Sequence, residues 1–238
     1  MKNTIIAKFN KNGNIKLGRA MWSFSKLYGN WAHESRRYGA VMGTCGHYCN
    51  GCKNSCYVKK SYRYPSVIDG HARNTLAMRN DINKAFDDLN GQIDRAKNKP
   101  AYIRIDQSGE IETPMELLLW ALSAKKHPTV KYYAYTKNFD AIRMLINTVT
   151  DMPSNITINV SIWHKYGLNE YINEFSKYPF IKAFVYDDKQ FDYAANGLNI
   201  ETYCYAYDEN GKLNHAVTCD KCRKCIDGKC KVIGCFDH

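Results

Sequence analysis

From residue 101 onward, four short runs of aliphatic, β-branched and aromatic residues alternate with helix-like segments, and this alternation narrows the fold more than any other feature of the chain. The runs are Ala101 to Asp106, Val130 to Tyr135, Ile156 to Ile162 and Phe180 to Tyr186, introduced by Pro100, Pro128, Pro153 and Pro179. After the first, Thr113-Pro114-Met115-Glu116 reads as a capping box with proline at the first helical position. Met115, Leu118, Leu119 and Leu122 then recur on one helical face, as do Ile142, Leu145, Ile146 and Val149, and again Leu168, Tyr171, Ile172 and Phe175. Strand starts fall about 24 to 29 residues apart, the length of a strand plus a crossover helix. That spacing predicts right-handed βαβ units with a parallel sheet. A helix is predicted from about Thr75 to Leu89 and a fifth strand over Ile200 to Tyr205. The fold class expected is α/β, a partial (βα) barrel of parallel strands. Residues 1–205 would hold a basic N-terminal segment and this barrel, and residues 206–238 a cysteine-rich segment packed on it.

Parallel βα arrays bind ligands beyond the carboxyl ends of their strands, because loops there vary freely while the sheet stays fixed. Those ends read Asp106-Gln107-Ser108-Gly109-Glu110, Tyr135-Thr136-Lys137-Asn138, Ser161-Ile162-Trp163-His164 and Tyr186-Asp187. Each turns polar where its strand stops. Candidate ligand-binding residues are therefore Ser108, Gly109, Glu110, Asn138, Ser161 and His164. Glu110 is the strongest of these, since the small Ser108-Gly109 pair lets a ligand approach the backbone while the carboxylate grips a cationic group. His164 reads either as a proton donor or as a loop histidine beside Trp163.

Ten cysteines fall into a front group, Cys45, Cys49, Cys52 and Cys56, a rear group, Cys219, Cys222, Cys225, Cys230 and Cys235, and the solitary Cys204. Spacings of two to four residues let thiolates converge on one metal centre, whereas disulfides close longer loops. The N-terminus has only the apolar stretch Ile5-Ile6-Ala7 before polar residues resume, which is no signal-peptide core, and no apolar run approaches a membrane span. A bacterial cytoplasm is the expected location, and there clustered cysteines hold metal more often than each other. Cys45, Cys49 and Cys52 have the C-x3-C-x2-C spacing that leaves one iron of a [4Fe-4S] cluster without a protein ligand. Cys219, Cys222 and Cys225 have a ferredoxin-type spacing, with Cys204 as a fourth ligand. Paired C-x2-C units with Cys235 or His238 fit tetrahedral zinc as the alternative.

Charge is as uneven as cysteine. Residues 1–64 hold twelve Lys or Arg against the single acid Glu34, which accounts for the whole formal excess of +11. Such a field attracts polyanions. Just after Cys56, Tyr57, Tyr62 and Tyr64 interleave with Lys59, Lys60 and Arg63, a composition suited to stacking bases while neutralising phosphates. Nucleic acid is the expected partner, and a membrane is not.

The Cys45, Cys49, Cys52 spacing, the Ser108-Gly109-Glu110 strand end and the parallel βα array resemble the radical S-adenosylmethionine (SAM) enzymes. Gly51 stands where that family usually has an aromatic residue, and Ser108 replaces a glycine. The resemblance implies a radical-SAM-like partial barrel, one or two [4Fe-4S] clusters, bound SAM held by the Ser-Gly-Glu loop, and an electron donor such as flavodoxin or ferredoxin. Over nearly the whole chain the sequence is also similar to the phage and mobile-element family named for gene product 88, in Thr44-Cys45, Cys52, Cys56-Tyr57, Cys204 and Cys219-x2-Cys222-x2-Cys225. In that alignment Cys56, rather than Cys49, is the third front ligand. The leading function is an iron-sulfur, radical-SAM-like enzyme acting on a polyanionic substrate such as nucleic acid. The alternative is a metal-stabilised nucleic-acid-binding protein without catalysis.

Overall fold

The computed structural model describes residues 5–11, 17–18, 20–46, 52, 56–187, 189–205, 214, 217–227 and 230–236. Cys49 and His238 lie outside the described residues. The chain forms a mixed α/β fold around a seven-stranded sheet in which every pairing is parallel. Its strands are β1 (Met21–Ser23), β4 (Tyr102–Arg104), β5 (Lys131–Thr136), β6 (Ile156–Trp163), β7 (Ile181–Asp187), β8 (Thr202–Tyr203) and β9 (Val232–Phe236), in the order β1-β4-β5-β6-β7-β9-β8. A separate antiparallel hairpin joins β2 (Ala32–Ser35) to β3 (Gly39–Met42).

Strand order follows sequence order as far as β7, so successive right-handed crossovers deposit their helices on one face of the sheet. These helices are α1 (Pro65–Asn80), α2 (Ile82–Asp94), α3 (Pro114–Lys126), α4 (Phe139–Thr148) and α5 (Leu168–Glu170), which continues as a π-helical turn over Tyr171–Phe175. The sheet is open and does not close into a barrel: β1 and β8 are its edges. Both edges are very short, which leaves little unpaired backbone to recruit another chain.

The two-residue period of the strands sorts side chains between the faces. Ile103, Ala134, Ile158, Val160, Ala183 and Val185 point to the helices and share a core with Leu117, Trp120, Ile142 and Phe175. Residues of the other parity face the opposite way. Tyr133 packs there with Met21, Leu17 and Ile226, a residue of the cysteine-rich rear segment. That segment is fastened to this inner face by three hydrogen bonds to its backbone carbonyls: Thr157 Oγ1 to Ile226 at 2.9 Å, Asn159 Nδ2 to Cys225 at 3.2 Å, and Lys182 Nζ to Lys224 at 2.6 Å. Polar residues at alternate positions of two central strands thus hold a loop over the sheet.

Three expectations change. The helix foreseen over Thr75 to Leu89 is two helices, broken at Asp81, whose extended backbone (φ −160°) lets its carboxylate cap α2 by accepting from Lys84 N. The apolar period runs across this break because both helices use the same core. The fifth strand shrinks to Thr202–Tyr203 and pairs with β9, not β7. The rear segment also contributes strand β9 itself, inserted between β7 and β8. Among the described residues no helix is long and apolar enough to cross a membrane.

Candidate functional site

Beyond the carboxyl ends of the strands lies a cavity of about 380 Å³. The front cysteines Cys45, Cys52 and Cys56 line it, and so do Cys204, Cys219, Cys222, Cys225 and Cys235. Two groups far apart in sequence therefore share one space, the rear group seated on the inner face of the sheet and the front group held over the strand ends.

The front wall is built on the loop after β4. Gly109 has φ +86°, and a Cβ there would come within 2.6 Å of Thr44 Oγ1 and 3.0 Å of Lys26 Cβ, so only glycine fits. The close approach serves a purpose: Glu110 N donates to Thr44 Oγ1 at 2.8 Å, while Thr44 Oγ1 donates to Leu27 O and Cys45 N donates to Gly29 O. Ser108 Oγ donates to Lys26 O, and Lys26 N returns a bond to Ser108 O. Cys45 is thereby stitched beside the Ser108-Gly109-Glu110 loop.

Glu110 is buried and its carboxylate is fixed on three sides. Oε1 accepts from Thr136 Oγ1 at 2.6 Å and from Ile111 N at 2.9 Å, and Oε2 accepts from Lys137 N at 3.0 Å. Burial first, and the Glu110 charge second, push the Cys45 thiol up to about 12, with Cys52 adding to the rise and Lys137 opposing it. Cys56 is raised too, by burial and then by Cys52. In the rear group burial pushes Cys225 up to about 12, helped by Cys204 and opposed by a hydrogen bond from Tyr135. Burial favours the protonated form of these thiols, as it does for any buried cysteine, and a metal binding them would displace their protons.

Among the described residues, no three Cys, His, Asp or Glu side chains converge tightly enough to hold a single metal ion. A cubane cluster spreads its thiolates farther apart than one ion does. The donor set, Cys52 interacting with both Cys45 and Cys56 on one cavity wall, fits the larger group.

Below this wall sits a buried charge cluster that sequence reasoning missed. Lys26, one of the basic residues of the front segment, is fully buried; its Nζ lies 2.6 Å from both oxygens of Glu116 and 3.3 Å from Asp106. Arg104 and Tyr135, which also line the cavity, were equally silent. The signal was available in the run Ala101 to Asp106, where Arg104 and Asp106 alternate with Ile103 and Ile105.

The other candidates divide. Ser161 lines the cavity. Asn138 is not among the lining residues; its Oδ1 caps α4 by accepting from Ala141 N, and its Nδ2 donates to Ile111 O. His164, also absent from the lining, adopts a left-handed backbone (φ 52°) with its ring 5.6 Å from that of Phe191. Lys59, Lys60 and Arg63 are exposed on a 3₁₀ helix, Tyr57–Arg63. Tyr57, donating to Gln107 O, and Val58 bring this helix to the cavity rim. Of the three interleaved tyrosines, Tyr57 and Tyr64 remain exposed, whereas Tyr62 turns inward to bond His71.

No curated protein and no solved structure matches the chain. A family model described as Gene product 88 matches residues 7–228, a span that takes in the front cysteines, the Ser108-Gly109-Glu110 loop, every strand but β9 and the rear cysteines as far as Cys225. The chain belongs to the Gene product 88 family.

Proposed function

We propose that this protein is an iron-sulfur enzyme of the radical-SAM type, of phage or mobile-element origin, acting on a polyanionic substrate such as nucleic acid in a bacterial cytoplasm. One observation carries the reading: Cys45, Cys52 and Cys56 share a cavity wall with the fixed carboxylate of Glu110 at the carboxyl rim of a parallel sheet. Cys45, Cys52 and one of Cys49 or Cys56 would hold a [4Fe-4S] cluster. When bound, that group and SAM supply reductive cleavage of a carbon-sulfur bond, with the electron coming from a donor such as flavodoxin or ferredoxin. The chain's own part is to bind and orient. Glu110, held by Thr136, Ile111 and Lys137, would hold the SAM ammonium, and the rear loop would exclude water from the inner face. The rear thiols would hold a second cluster or zinc, and iron, sulfide and zinc assays on one anaerobic sample separate the two.

A charged hydrogen bond to the ammonium contributes about 1.5–3 kcal/mol, so Glu110→Gln is expected to weaken SAM binding roughly ten- to a hundredfold while leaving the iron content unchanged. Calorimetry on reconstituted protein checks this. Absence of SAM binding, or binding indifferent to the substitution, removes the enzyme reading.

The binding-protein alternative is favoured by the exposed Lys59, Lys60 and Arg63 beside exposed Tyr57 and Tyr64. Both readings expect affinity for DNA or RNA that falls steeply as salt rises, and a large loss of affinity when the three cations are reversed to glutamate. Filter binding over a salt series checks it; unchanged affinity in the triple variant sinks the nucleic-acid assignment.

A further inference from the structure

The end of β4 and the turn after it carry two side chains that neither the thiols nor Glu110 employ. Arg104 and Asp106 stand two residues apart and both line the cavity. The Arg104 guanidinium lies 3.8 Å from the Tyr135 ring centroid and 5.2 Å from that of Tyr133, so its plane is steadied by aromatic contact. Its buried Nε has no hydrogen-bond partner among the described residues. Asp106 is 4% exposed, with a left-handed backbone (φ 44°), a conformation that Asp enters more readily than most residues. Its Oδ2 lies 3.3 Å from Lys26 Nζ, and its buried Oδ1 has no hydrogen-bond partner among the described residues.

The state of Asp106 follows from its neighbours. Lys26 is already held by both oxygens of Glu116, and its contact with Asp106 is the longer one. One buried ammonium cannot balance two buried carboxylates, and Glu110 adds a further negative charge nearby. Burial, opposed by Lys26 but aided by Glu116 and Glu110, holds Asp106 well above the usual carboxylate range. In its protonated form Asp106 sets a carboxylic O–H beside the Arg104 guanidinium N–H at the cavity wall. Buried donors of this kind are expensive to leave unmatched. The cations Lys137, Arg223 and Lys224 line the same space and favour a negative partner.

We infer that Arg104 and Asp106 form an oxyanion subsite that binds a carboxylate or phosphate group of a ligand entering the cavity. The subsite uses none of the thiols, so protein that fails to load iron still tests it, and its failure leaves the cluster assignment untouched.

The experiment is calorimetric titration of purified protein with inorganic phosphate and, separately, with malonate. Binding of either is expected; preference for phosphate identifies a phosphoryl group as the natural partner, and preference for malonate a carboxylate. Arg104→Gln is expected to weaken the preferred anion roughly ten- to a hundredfold. Asp106→Asn keeps a neutral donor in place and is expected to hold affinity within about twofold. The inference is overturned if neither anion binds, if Arg104→Gln binds as the parent does, or if Asp106→Asn binds more tightly, since that gain would mean an ionised, repelling Asp106. Should Arg104→Gln fail to fold, phenylglyoxal labelling of the unaltered protein with peptide mass spectrometry replaces it. Protection of Arg104 by the bound anion supports the subsite, and labelling indifferent to the anion overturns it.

Discussion

Replacing Cys45 or Cys52 by alanine is expected to remove about one cluster's worth of iron and acid-labile sulfide from anaerobically purified protein. The effect should be nearly complete, because each thiolate of a three-cysteine site supports the others and Cys45 is fixed by its backbone bond to Gly29 and by Thr44 alongside. Burial raises the Cys45 thiol pKa, so metal binding there would have to displace its proton. Paired variants identify the third ligand. If Cys56→Ala abolishes loading and Cys49→Ala does not, the C-x6-C-x3-C set holds the cluster; the reverse result gives the role to Cys49. Protein that carries zinc and no labile sulfide at the front site would contradict the cluster assignment altogether.

Lys26→Met is expected to destabilise the fold by about 3–5 kcal/mol, the usual penalty for removing one partner of a buried ion pair and stranding the other. Here Glu116 loses the cation that both of its oxygens hold. Urea denaturation followed by circular dichroism measures the loss, and a shift under about 1 kcal/mol would show that water reaches the cluster. The same cluster gives stability a pH dependence. Asp106 has a raised pKa in the folded state, so its contribution is fully present below the ordinary carboxylate range and is lost as pH climbs through the raised value. Asp106→Asn should flatten that slope.

The parts of the fold that were legible in the sequence are those where a single physical signal acts alone. The four central strands were announced by apolar runs after proline, and α3 by its Thr113-Pro114 start, which the structure caps with Thr113 Oγ1 accepting from Glu116 N. Gly109 was read as a point where a ligand nears the backbone; in the structure it is Thr44 and Lys26 that approach it. Elsewhere two signals compete. Val232–Phe236 is β-branched and apolar, yet Cys235 and the dense cysteines before it read as a metal loop, and a strand seated beside β7 was hidden. Asn138 ends a strand and begins a helix, and the capping role holds its side chain. Lys26 looked like one more surface cation, because nothing in its local sequence records that Glu116, ninety residues away, is its partner. Alternation in β6 was informative and passed unused: Thr157, Asn159 and Ser161 between aliphatics mark an inner face that is polar as well as buried.

The insertion of β9 between β7 and β8 sets an order of assembly. A chain grows from its N-terminus, and β1 and β4 to β7 with their helices can pair as they emerge, each beside a strand already made. After Asp187 the growing edge must wait. β8 is made next but pairs with β9 rather than with β7, and at roughly 5–20 residues per second the interval before Val232 appears lasts a few seconds. During that interval the front thiols and Glu110 can already stand over an inner face that Ile226 and Cys225 have not yet covered. The nascent chain thus leaves its front wall open until the rear loop, arriving with the last strand of the sheet, narrows the way in.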